Sequence, residues 1–210
     1  MYKHEHTGAV VVLTVFAVVL AMASFTLPYY MVTDGRVTDS GWVRYSTIEF
    51  YPSFYDGDEV RTYSSGYDEI GALFDIVWAL MWLWALGALV YISRIINTDE
   101  SELQRWHAGF VAGWVLCVFA ILPPLVFALL ISGSFYASLD WVGPFPFDGF
   151  MGSTEYDEWG PMYGWALLAF ACAIQLAAVL VRNIPEVLHS TKGPEEVPAD
   201  VAARGDLPVR

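Results

Sequence analysis

Four stretches of this chain are too apolar for water. Residues 8–27 carry no charge, 70–92 hold one acid, Asp75, and 106–132 and 162–181 lack Asp, Glu, Lys and Arg. About 20 apolar residues rising 1.5 Å each cross the ~30 Å hydrocarbon layer as a helix. Each stretch is therefore predicted to be a spanning helix. They lift the hydrophobic share to 56%, above the roughly 45–50% of soluble domains. The first stretch, with Lys3 before it and Ala21-Met22-Ala23 at its end, also has the makings of a secretory signal. Its apolar run is longer than a signal's usual core, so it reads as a retained span.

Lysine and arginine set the orientation. The N-terminus, the loop at 93–105 and the tail from 182 hold Lys3, Arg94, Arg105, Arg182, Lys192, Arg204 and Arg210, seven of the ten cations. The loops 30–69 and 133–161 hold only Arg36, Arg44 and Arg61. The first set is expected in the cytoplasm, with both termini inside a cell membrane crossed four times. The outer loops then carry thirteen of the 23 acids, which makes nucleic acid an improbable partner. Such a face suits a saline or acid exterior, a cationic partner, or weak divalent-cation binding by Asp56, Asp58 and Glu59.

Loop 30–69 reads as strands. Asp34-Gly35 and Asp39-Ser40-Gly41 are turn signals, Trp42 to Tyr51 alternates with β-branched and aromatic residues, and Asp56-Gly57 precedes a further strand at "EVRTYSS". Pro52 ends or edges the second strand. Three or four antiparallel strands are expected. Loop 133–161, rich in Gly, Pro and aromatics, is expected to stay irregular and drape rings over that sheet. The fold class is thus an all-α transmembrane four-helix bundle with a small extracellular antiparallel sheet as its cap. Residues 1–184 form the membrane domain, and 185–210 a mobile cytoplasmic tail. The inner loop offers Thr98 or Ser101 as a helix cap.

Helices in lipid associate through small residues. Gly109 and Gly113 in the third span, Gly160, Gly164, Ala169, Ala173 and Ala177 in the fourth, and Ala17 and Ala21 in the first are the expected packing positions, within one protomer or between copies. Pro123-Pro124 should kink the third span. Trp78, Trp82 and Trp84 sit deep in the second span as bulky filler or as a lipid, pigment or partner contact, with Trp42 a further contact in the cap. Asp75, near the outer end of its span, is expected to pin the cap through Arg61 or Arg44, or to handle an ion or proton. Gln175 is expected to hydrogen-bond another helix. Cys117 and Cys172 read as small buried hydrophobes.

The histidines His4, His6, His107 and His189 all fall at or beyond the inner boundary, which disfavours a bis-histidine haem. No Ser/His/Asp set, phosphate-binding loop or zinc-protease helix is present. No cofactor, metal centre or catalytic residue is expected.

The layout resembles the claudin-like tetraspan superfamily, which includes claudins and peripheral myelin proteins. Both have four spans, inner termini, a long stranded first outer loop and a shorter second one. Gly41-Trp42 falls where the family has Gly-Leu-Trp, without the Leu, and the paired cysteines that follow it in claudins are missing. The resemblance covers residues 1–184 in architecture. It implies a non-enzymatic role in adhesion, lateral assembly with other membrane proteins or copies of itself, or service as an accessory subunit. The alternative is a small transporter, channel or ion sensor using Asp75, Gln175 and the proline pair.

Overall fold

A computed structural model of the chain describes residues 7–41, 43–57, 59–65, 67–96, 103–138 and 149–191. Four helices dominate it: α1 (Thr7–Ser24), α2 (Asp68–Ile96), α3 (Leu103–Ser138) and α4 (Tyr163–Thr191). Each contains a stretch long and apolar enough to cross a membrane, so the chain is a multi-pass membrane protein. They pack in a ring, with α1 against α4 and α2, and α3 against α2 and α4. Outward positions are apolar as well, among them Val12, Phe16, Leu86, Leu89, Val118 and Leu129. That pattern, apolar inside and out, is that of a helix solvated by lipid.

Local chemistry sets the helix ends. At α1 the chain closes three successive turns, the last from Leu27 N to the Ser24 carbonyl at 3.0 Å. Pro28 then bars further helix, so α1 stops three residues short of the expected boundary. α2 opens on Asp68 and Glu69 and closes on Arg94, the charges its dipole favours at each end. Before it, Tyr67 adopts φ 61°, an arrangement costing about 1–2 kcal/mol for a side chain of this size. Its ring packs edge-on to Phe50 and Tyr55, which offsets that strain. α3 runs unbroken through buried Pro123 and Pro124, and α4 continues past Pro185, where the tail was expected, to Thr191. Thr98, Ser101, the N-terminal residues and the chain beyond Thr191 lie outside the described residues.

At the end where α1 stops and α4 starts sits one antiparallel sheet in the order β4-β3-β2-β1-β6-β5. β1 (Tyr30–Val37) pairs along its whole length with β2 (Val43–Phe50), Tyr30 opposite Phe50 and Val37 opposite Val43. β3 (Tyr55–Asp56) and β4 (Val60–Arg61) follow.

Two expectations are corrected here. Asp34-Gly35 does not turn, because both residues lie inside β1. Tyr156 O and the Tyr45 ring fill the space a Gly35 side chain would need, so this glycine serves close approach rather than reversal. The reversal comes at Thr38-Asp39-Ser40-Gly41, where Gly41 has φ 81° and its N–H donates to Thr38 O at 2.8 Å. Nor is the second loop irregular. Its residues form β5 (Gly152–Ser153) and β6 (Glu158–Pro161), and β6 pairs with β1 from Tyr30 opposite Pro161 to Thr33 opposite Glu158. An unpaired row of β1 amides next to the bundle would be costly, and β6 satisfies it.

Candidate functional site: the sheet, its aromatic seat and the bundle interior

Tyr29 and Tyr30 follow directly on the turn that ends α1, and both side chains are fully buried. The Tyr29 ring meets Phe25, Phe74 and Phe127 edge-on at 5.4–5.6 Å, and its hydroxyl lies 2.5 Å from Ser24 Oγ. Its backbone N–H donates to Phe50 O, and its carbonyl accepts from Met162 N–H. Three helices, β2 and the entry to α4 therefore converge on one residue. Tyr30 extends the seat, packing on Phe127, Phe135 and Phe150 and donating its hydroxyl to Phe150 O at 2.7 Å. Tyr63 closes the far side, its hydroxyl donating to the Tyr51 and Phe54 carbonyls. Burial pushes the hydroxyls of Tyr29, Tyr30 and Tyr63 well above the ordinary phenol range. Aromatic pairs of this kind add about 0.5–1.5 kcal/mol each beyond their burial. The sheet is thus a rigid platform on the bundle.

The far end of the platform is covered only as far as Gly35, whose N–H donates to Asp157 Oδ1 at 3.4 Å. Beyond Thr33, β1 has no β6 partner, and β2 pairs with β3 only at Glu49 and Phe50 among the described residues. The tip of the hairpin carries Val37 and Tyr45, each more than half exposed, and sets Arg36 opposite Arg44. Asp34 holds Arg36 at 2.7 Å, and Glu59 holds Arg61 at 3.1 Å. Both pairs are exposed and of small energetic worth. Of the expected divalent-cation set, Asp58 lies outside the described residues, and no group of three or more His, Cys, Asp or Glu side chains comes together among the described ones. Trp42 and the four histidine side chains also lie outside them.

The three tryptophans of α2 separate. Trp78 and Trp82 face outward, 38% and 49% exposed, ring against ring, with Phe25 on Trp78 at 4.5 Å. Trp84 is sealed in the core, which fits its reading as bulky filler and not the one as a lipid, pigment or partner contact. The 3.6-residue turn carries position 84 round to the inner face. Asp75 is exposed, with no ion pair or hydrogen bond to Arg61, Arg44 or any other described residue. Its expected pinning role is absent from the geometry, and seat tyrosines do that work instead.

The small residues divide too. Gly113 and Gly164 are true close-approach sites. A Cβ at Gly113 would lie 3.2 Å from the Tyr91 ring and 3.3 Å from Val179, and one at Gly164 would collide with the Tyr29 ring. Ala17 and Ala21 are buried. Gly160 is corrected: it lies in β6 opposite Met31, because α4 begins only at Tyr163. Ala173 and Ala177 are exposed and Ala169 half-buried. Steps of four residues advance 400° and so drift off a fixed face. The face that does pack is Gly164, Leu168, Ala171, Gln175 and Val179. Gly109 falls in α3, its surroundings outside the described residues.

Cys117 and Cys172 are free and half-buried. Gln175, fully buried, donates from Nε2 to Thr14 Oγ1 at 3.4 Å, joining α4 to α1 as expected. One contact escaped the sequence reading. Trp165 Nε1 donates to Pro124 O at 3.1 Å, tying α4 to α3 beside two prolines that give no amide of their own.

The arrangement defines a class: a four-helix multi-pass membrane protein carrying one composite sheet at one end of its helices. Compared with family models and with curated proteins, the sequence matches none of either.

Proposed function

We propose that this is a non-enzymatic membrane protein that assembles with other membrane or surface proteins, as an accessory subunit or an adhesion-type component, in a claudin-like layout. In this reading the sheet lies outside the cell and both termini lie in the cytoplasm, because the loops that build the sheet hold only three of the ten cations. One observation carries the proposal. The two loops at one end are fused into a single sheet through the β1–β6 ladder, anchored by the tyrosine seat and leaving a paired hairpin tip projecting with Val37 and Tyr45 exposed. Such a rigid, displayed edge is the geometry by which sheets recruit partners. Outward-facing Trp78 and Trp82 would add a lateral contact with lipid or a neighbouring helix.

A transport reading has less support. Asp75 is exposed near the sheet end of α2, whereas Gln175 is buried far along α4, so the two do not line one path.

The test is recovery of the tagged protein from its native membrane in mild detergent after cross-linking. A stoichiometric companion that is lost in Tyr45→Asp with Val37→Asp, or in Trp78→Ala with Trp82→Ala, supports the reading. Recovery only as a bare monomer in every detergent overturns it.

A further inference from the structure

Thr14, Trp84 and Gln175 belong to three different helices, and none is more than 1% exposed. Their depths agree. Tyr29 touches Phe74 on α2, fills the space beside Gly164 on α4, and is hydrogen bonded to Ser24 on α1. Trp84 lies ten residues beyond Phe74, Gln175 eleven beyond Gly164, and Thr14 ten before Ser24. At 1.5 Å per residue all three sit about 15–17 Å below Tyr29, near the middle of a hydrocarbon layer. A turn beyond Gln175 on α4 and two turns beyond Trp84 on α2, buried Val179 and Tyr91 both reach Gly113 of α3, so these two helices turn side chains toward the bundle interior.

Two polar atoms of this layer have no hydrogen-bond partner among the described residues, Trp84 Nε1 and Gln175 Oε1. One is a donor and the other an acceptor. Leaving each bare costs about 1–3 kcal/mol, and hydrocarbon offers no substitute partner. We infer that a single structural water bridges them, accepting from the Trp84 indole N–H and donating to the Gln175 amide oxygen. The mixed character of the pair selects the ligand. A cation would face an N–H donor and an anion would face a carbonyl oxygen, whereas water both accepts and donates. If the amide is turned about, two donors remain, and the water oxygen accepts both. The bridge links α2 to α4, and Gln175 continues the link to Thr14 on α1, giving a polar layer that fixes helix register across the bundle.

The experiment is indole nitrogen–proton NMR of the full chain in lipid nanodiscs. The Trp84 signal is assigned by its loss in Trp84→Phe. The expected result is a cross-peak between the Trp84 indole proton and a long-resident water, lost in Gln175→Leu while the cross-peaks of the other indoles persist. Absence of the water cross-peak in the wild-type chain overturns the inference, as does its survival in Gln175→Leu. If Gln175→Leu does not fold, Gln175→Met makes the same comparison, and the wild-type measurement decides by itself.

Discussion

Ser24 Oγ and Tyr29 Oη lie 2.5 Å apart, buried, where the last turn of α1 gives way to the first strand. The bond spans the point at which the chain leaves helix for sheet. Tyr29→Phe keeps the ring and loses only this bond, at a cost of about 1 kcal/mol. Tyr29→Ala also empties the space between Phe74 and Phe127 and costs about 3–5 kcal/mol. Thermal unfolding in detergent, followed by circular dichroism, separates the two. Equal losses would show that the ring contributes nothing and that the seat is not the joint between sheet and helices.

Alkaline unfolding tests the same seat. Burial raises the hydroxyls of Tyr29, Tyr30 and Tyr63 above their unfolded value, which is about 10. The native state therefore holds these protons more tightly than the unfolded chain does. Their contribution is fully present below a pH of about 10 and is lost as pH rises toward the native values, by about 1.4 kcal/mol per pH unit for each tyrosine. Stability measured against pH, with tyrosinate absorbance alongside, should fall only above that threshold and coincide with unfolding. Tyr63→Phe should make the fall shallower. Tyrosines that ionise with the fold intact would contradict their burial.

The four helices and the strand-forming first loop were legible because both signals are periodic and local. Long uncharged runs announce lipid-solvated helices, and alternation from Val43 to Phe50 announces a strand. What escaped was decided by tertiary contact. Asp34-Gly35 has turn chemistry, yet Tyr156 and Tyr45 need its empty side-chain space, and the strand goes straight through. β6 is four residues long and contains Gly and Pro, so nothing in its composition reveals a strand without the β1 edge it completes. Asp75 looked like an anchor because acids in spans are rare, but it is exposed, and Arg61 is held by its own near neighbour Glu59 instead. The layer of Thr14, Trp84 and Gln175 is invisible in sequence, since it depends on three helices agreeing in depth.

Two glycines on neighbouring helices should respond in opposite senses. Gly164 has the Tyr29 ring and the Leu27 carbonyl where a side chain would go, whereas Gly133 in α3 has no atom within 4 Å of that position. Gly164→Ala must displace the seat and should cost about 1–3 kcal/mol. Gly133→Ala adds a better helix former in open surroundings and should stabilise by about 0.5–1 kcal/mol. Melting temperatures of the two variants in one detergent provide the check. A stabilised Gly164→Ala would mean that α4 does not enter the bundle against Tyr29.

The packing face of α4 makes the sharpest contrast, because Ala171 and Ala173 are two residues apart on one helix. Ala171 is fully buried and Ala173 exposed. Leucine at 171 must force apart a close-packed interior, costing about 1–3 kcal/mol. Leucine at 173 meets only what surrounds the bundle and should change stability by less than about 0.5 kcal/mol. Size-exclusion chromatography of Ala173→Leu adds a second readout, since Ala173 and Ala177 lie on the exposed side. An unchanged elution volume together with unchanged stability assigns that side to lipid. A shift to a smaller species with the melting temperature preserved would instead identify it as a contact between copies, as four-residue spacing of small side chains permits.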